Sequence, residues 1–158
     1  MTYSRIIGAT AIAASLLAVQ AMAASHGQTP QQAAVKARQA TMTLYSFNIG
    51  VLGAMAQGKA DYDADAAMAA AGNLAKLTST NQATIWIPGT SNADMQGTRA
   101  LPAIWQEGSD VGAKAGAVAE AAAAMADAAG NGLDALQAAM GPLGQACGAC
   151  HRSYRARN

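Results

Sequence analysis

Cys147, Cys150 and His151 are the side chains whose types and spacing can do chemistry together. The run Cys147-Gly148-Ala149-Cys150-His151 is C-x-x-C-H, the pattern of covalent c-type haem attachment. Two thiols three residues apart on a helix lie on one face, where each can bond a vinyl-derived carbon on one porphyrin edge. With that edge fixed, the next residue aims its imidazole at the iron. Other chemistries use paired cysteines, but they fit less well. A dithiol redox motif sits between a strand and a helix, whereas this one lies near the end of a helical stretch. A zinc site needs two further ligands, and the one other histidine, His26, lies in the N-terminal tail. An exported chain commonly joins its cysteines as a disulfide, yet the attachment pattern accounts for this pair better. One covalent haem c is therefore the expected cofactor.

Such a motif needs helices to hold it, and the apolar spacing supplies four. From Pro30 to Gln57 no proline intervenes, and Val35, Arg38, Met42, Tyr45, Ile49 and Leu52 recur in steps of three and four, one stripe facing a partner helix. Gly58 and the Asp61-Tyr62-Asp63 cluster predict a turn whose carboxylates suit a helix N-terminus. Helix two then runs to about Leu77 with a small face through Ala67, Ala71 and Leu74. Thr78 to Pro102 is punctuated by Pro88-Gly89-Thr90 and Gly97, a loop long enough to suggest function. Helix three is expected directly after Pro102, reaching about Ala129. Gly130-Asn131-Gly132 is a tight turn. Helix four carries Leu133, Leu136, Met140, Leu143, Cys147, Cys150 and Tyr154 on one stripe, and Pro142 inside it predicts a kink or a restart. The fold class is all-α, an antiparallel up-down-up-down four-helix bundle.

Composition agrees. The chain has 158 residues and is 52% apolar but only 4% aromatic, so its core must come from alanine, leucine and methionine on helices. Residues 1–23 read as a cleaved signal peptide: Arg5, an apolar stretch from Ile6 to Val19, and Ala21-Met22-Ala23 as the small-x-small site. That stretch is short for a bilayer span of about 20 residues, so no membrane attachment is expected after cleavage, and the periplasm is the expected compartment. Residues 24–30 read as a flexible entry, and 31–158 as the haem-binding domain. Formal charge is +1, and without Arg5 it balances, which leaves no electrostatic footprint for nucleic acid.

With Arg38-Gln39-Ala40-Thr41-Met42, Val51-Leu52-Gly53-Ala54 plus Gly58, Pro88-Gly89-Thr90, Ile104-Trp105 and the run Cys147 through Arg155, the chain resembles the class II c-type cytochromes, the cytochrome c′ family, including its low-spin members. Cytochrome c′ is itself a standard example of the up-down-up-down bundle. The resemblance covers about residues 31–156. It implies thioether bonds from Cys147 and Cys150 and His151 as the proximal ligand. It further places Arg155 near the proximal haem face and Arg38 near a haem propionate.

The sixth iron position is argued from topology. The C-terminal half of helix four must lie beside the N-terminal halves of helices one and three. Met140, on the same helix as His151 and roughly 16 Å from it at 1.5 Å per residue, cannot reach the opposite ring face. Met55 and Met125 belong at the far end, and His26 lies in the tail. Met42 and Met95 remain, and Met42 is on the inward stripe one turn after Arg38. If its sulfur binds, the iron is six-coordinate and low-spin with a raised potential, and the expected role is one-electron transfer without catalysis. If Met42 only packs over the iron, as methionines ordinarily pack, the five-coordinate site admits nitric oxide or another diatomic gas. Ligation is the expectation carried forward. Trp86 and Trp105 are expected beside the haem edge and the loop, and Tyr45 and Tyr154 as core residues with a polar tip. The small-residue faces of helices one and two suit either close packing within the chain or a homodimer. The sequence names no redox partner.

Overall fold

A computed structural model describes residues 27–157; the signal-peptide reading of residues 1–23 and the tail residue His26 lie outside them. Four helices form: α1 Pro30–Ala56, α2 Ala64–Thr78, α3 Val111–Ala128 and α4 Leu133–Tyr154. The α1 start is fixed chemically. Thr29 accepts from the Gln32 backbone while the Gln32 side chain bonds back to the Thr29 N–H, a reciprocal capping box, and Pro30 occupies the first helical position. Asp63 caps α2 through Ala66 N at 2.9 Å, as its place before an apolar run predicts.

Each helix packs on the next, and α1 also meets α4, least extensively of the four neighbouring pairs. At one end, hereafter the turn end, the α1–α2 and α3–α4 connections are tied together. The Tyr62 hydroxyl donates to the Ala129 carbonyl at 2.9 Å and accepts from Gly132 N at 3.0 Å. Gly132 takes φ +103°, which a side chain would strain. Toward this end sits the closed core. Leu52, Leu74, Met125, Leu136 and Leu143 are at most 1% exposed, and Ala67, Ala71, Ala122 and Ala129 let the helices approach closely between them.

Two expectations are corrected. Helix three does not follow Pro102 directly: Pro102–Trp105 is a single 3₁₀ turn, and α3 starts at Val111. Gly108, at φ +78°, breaks the chain direction between them. Helix four does not restart at Pro142, because α4 continues through it. Pro142 and Ala138 both lie on the exposed face, so the carbonyl that loses its donor can turn to water. Among the described residues there is no strand, only an isolated antiparallel bridge between Ala100 and Arg155.

Candidate haem site

The far end of the bundle, the motif end, is built differently. α4 ends there with Cys147, Cys150 and His151 in its last two turns, and the loop between α2 and α3 folds back over that end. Leu101 N donates to the Tyr154 carbonyl at 2.9 Å and Ala156 N to the Arg99 carbonyl at 2.8 Å, flanking the Ala100–Arg155 bridge. Tyr154, 8% exposed, ties α4 to the start of α3: its hydroxyl donates to Asp110 Oδ1 at 2.6 Å and accepts from Asp110 N at 3.0 Å. Lys114 pairs with the same carboxylate.

The two cysteines face different neighbours. Cys147 packs against the core cluster and lies close enough to Tyr45 on α1 that a charge on one is felt by the other. Cys150 is coupled to Lys114 and Asp110 at the head of α3. Both are half-buried and unbonded to each other, and desolvation is the first cause that pushes both thiols above their ordinary pKa. They are held as S–H. His151 reaches an open cleft of about 410 Å³ with Arg99, Gly148, Arg152, Arg155, Ala156 and Arg157. Its pKa is held below the ordinary value, first by partial loss of water and then by the nearby charge of Arg99. The imidazole is therefore kept neutral, the form that binds a metal.

These donors fit a covalent haem. Two neutral thiols at i and i+3 share a face, a neutral imidazole follows directly, and among the described residues no group of three or more His, Cys, Asp or Glu could hold a metal by itself. The last point disfavours the zinc alternative. Cys147, Cys150 and His151 are the residues that would hold the group.

On α1 the stripe is realised with one uneven member. Val35, Arg38 and Leu52 are buried and Tyr45 and Ile49 half-buried, whereas Met42 is 36% exposed. Tyr45 beside Cys147 sets the register. In an antiparallel pair, three residues back on α1 correspond to three forward on α4, so Met42 stands level with Cys150 and Arg38 near Tyr154. Met55 and Met125 lie in the closed core. Met140 meets Gly53 on α1, and Met95 lines a separate cleft with Val35, Lys36 and Gln39. The topological exclusion of Met55, Met125 and Met140 agrees with these positions.

Arg38 is 4% exposed and clamps the long loop. Its guanidinium donates to Thr90 Oγ1 at 2.6 Å and to the Thr90 carbonyl at 2.8 Å. Trp86 covers it at 4.8 Å and Trp105 at 5.8 Å. Trp105 in turn donates to the Trp86 carbonyl at 2.9 Å. The tryptophans thus bracket an arginine as well as lining the loop. Tyr45 and Tyr154 keep their polar tips bonded, Tyr45 to the Leu77 carbonyl at 3.2 Å. Thr90 was visible in Pro88-Gly89-Thr90 but not as the partner of Arg38, and Arg99 carries no local sequence signal at all.

The comparisons with known proteins agree with this geometry. The family model described as cytochrome C′ matches residues 33–155. Cytochrome c-554 of Cereibacter sphaeroides is 39% identical over 98% of this chain and 99% of its own length. Among solved structures, cytochrome c′ from Rhodobacter sphaeroides superimposes with a TM-score of 0.78 at 41% identity, covering 81% of this chain and 98% of that one. A nitric oxide complex of a mutant cytochrome c′ from Alcaligenes xylosoxidans gives 0.70 at 32% identity, covering 81% and 97%. By sequence, fold and attachment motif, the chain belongs to the cytochrome c′ family and carries covalently bound haem c.

Proposed function

We propose that Cys147 and Cys150 hold the haem by thioether bonds, that His151 is its proximal ligand, and that the opposite face is left for a small diatomic gas such as nitric oxide, with Met42 packed beside it. Bound haem supplies a one-electron couple and an iron coordination position. The protein supplies the rest. Cys147 and Cys150 would hold the haem through their sulfurs, and burial favours the protonated thiol at both. His151, kept neutral, presents its imidazole nitrogen one residue beyond the fixed edge. Nothing in this arrangement calls for a catalytic acid or base, and the role is carrier and ligand binder rather than enzyme. Residues 1–23 support periplasmic export as part of the same reading.

The observation that carries the gas-binding reading is the solved nitric oxide complex of a mutant cytochrome c′ that is 32% identical to this chain and shares its fold with a TM-score of 0.70. A second reading, electron transfer with Met42 as sixth ligand, keeps one specific observation in its favour: the Tyr45–Cys147 register puts Met42 level with Cys150 and His151. The ferric holoprotein's electron paramagnetic resonance spectrum separates them. A high-spin signal that Met42→Ala leaves unchanged supports the five-coordinate site. A low-spin signal converted to high-spin by Met42→Ala makes Met42 the sixth ligand and sinks the gas-binding reading.

A further inference from the structure

The chain is nearly neutral, at +1, but its charges are unevenly spread along the bundle: acids prevail at the turn end beside Lys59, and bases prevail at the motif end despite Asp94, Glu107 and Asp110. Asp61, Asp63 and Asp65 sit at the α1–α2 turn, and Asp127 and Asp134 at the α3–α4 turn. At the motif end Arg99, Arg152, Arg155 and Arg157 all line the cleft that His151 enters, and no carboxylate lines it. Helix macrodipoles explain part of this: Asp65 and Asp134 lie in first turns and Arg152 in a last turn, where each is favoured. Arg155, the α4 C-cap, shares that reason, but Arg99 does not: it belongs to the loop after α2 and is brought beside Arg152, Arg155 and Arg157 by the Ala100–Arg155 bridge, so the complete face is assembled by tertiary structure.

We propose that this arginine face docks the acidic surface of a redox partner protein, bringing the partner's electron donor to the edge of the site at His151. The inference rests on the haem reading above, and reduction is needed under either account of Met42. A molecule with opposite charge at its two ends turns in a partner's field, so attraction is directional even at a small net charge. The partner is a protein rather than a lipid surface because membrane-bound faces pair basic residues with large apolar ones. Among the described residues the exposed large apolar side chains, Met42, Leu44, Phe47 and Met68, lie on α1 and α2 and none lines the cleft.

The test uses the holoprotein, with an acidic plant-type ferredoxin as the probe. Calorimetric titration at low ionic strength reads docking itself, and stopped-flow reduction by reduced ferredoxin reads its consequence. Arg152→Glu/Arg157→Glu should weaken binding and slow reduction roughly tenfold at low salt. The difference should vanish at high salt, where charges beyond a Debye length are screened. Arg152→Glu alone should act in the same direction, and the charge-matched single reversal Lys59→Glu at the turn end should change neither. Equal loss in the Lys59 variant, or salt-independent binding by the wild type, overturns the proposal. So does arginine-dependent sedimentation with phosphatidylglycerol vesicles in the absence of arginine-dependent ferredoxin binding, which assigns the face to a membrane. Reduction by hexaammineruthenium(II), a small cation that needs no docking face, checks the haem reading separately. Its failure while ferredoxin still binds would count against that reading and not against the docking face.

Discussion

Replacing Arg38 by Met tests whether the long loop is held by the clamp described above. Methionine keeps the aliphatic stem between Trp86 and Trp105 and removes the charge and every donor. The main losses are bonds from a cation to Thr90 Oγ1 at 2.6 Å and to the Thr90 carbonyl at 2.8 Å, each worth about 1.5–3 kcal/mol when charge-assisted, beside a long one to Thr98 Oγ1 at 3.4 Å. Contacts with two indole rings add about 0.5–2 kcal/mol apiece. Against this stands the cost of burying the guanidinium, which also pulls its pKa below the ordinary value. Thr90 itself is fully buried, so its carbonyl would be left without this donor, a penalty of about 1–3 kcal/mol. The net expectation is a loss of about 3 kcal/mol, or about 6–12 °C in Tm for a chain of this size. Urea unfolding of the holoprotein followed by far-ultraviolet circular dichroism reads it as a lower midpoint at unchanged slope. Thr90→Val alone should cost about 1.5 kcal/mol, since it removes only the hydroxyl. In the double variant the two costs should fall short of their sum by about 1 kcal/mol. A loss below about 1 kcal/mol for Arg38→Met, or strict additivity with Thr90→Val, refutes the clamp.

Two further expectations concern the other tie and the outer face. Tyr154→Phe removes the hydroxyl joining α4 to Asp110 and should cost about 1–2 kcal/mol in the same assay. The Asp110 carboxyl is held below its ordinary pKa, first by Lys114 and then by Tyr154. Its contribution is therefore present above the unfolded-state value and lost as pH falls through the lower folded-state value. Acid should lower the urea midpoint below about pH 4, and Asp110→Asn should flatten that part of the profile. Phe47 is 67% and Leu44 47% exposed on α1. If helices one and two pair two copies, sedimentation equilibrium of the wild type gives a dimer and Phe47→Asp a monomer. A wild-type monomer ends the dimer reading.

How far the sequence could be read depended on whether the deciding interaction was local. Caps and stripes are local: Asp63 before an apolar run, and the three-four spacing that puts Leu136, Leu143, Cys147 and Cys150 on one face of α4. The attachment motif is local too. The α3 start was misjudged because proline at the head of a 3₁₀ turn looks the same as proline at the head of a helix, and only Gly108 and the Ser109-Asp110 pair mark the true boundary. Pro142 predicts a kink or a restart, and the restart is overturned for the opposite reason. Its cost depends on whether Ala138 can turn to water, which is a property of burial. The Arg38–Thr90 bond spans 52 residues, and the meeting of Arg99 with Arg155 depends on a loop crossing the end of α4. No periodicity within one element encodes either.

The two ends of the bundle therefore use different physics for a common reason. At the turn end, apolar side chains and alanines close the helices onto each other, and burial dominates, with the Tyr62 hydroxyl tying the two connections. At the motif end α4 must keep two thiols and an imidazole aligned for a group much larger than any side chain, and α1 and α4 are the neighbouring helices that meet least along the bundle. What burial cannot supply at that end is supplied by directional bonds. Arg38 fixes the loop to α1, the loop bridges to Arg155, and Tyr154 fixes α4 to the head of α3. Hydrogen bonds suit this task because they set position at small net stabilisation. The same constraint leaves the arginines exposed, since a face already closed by apolar packing could not present them to a partner.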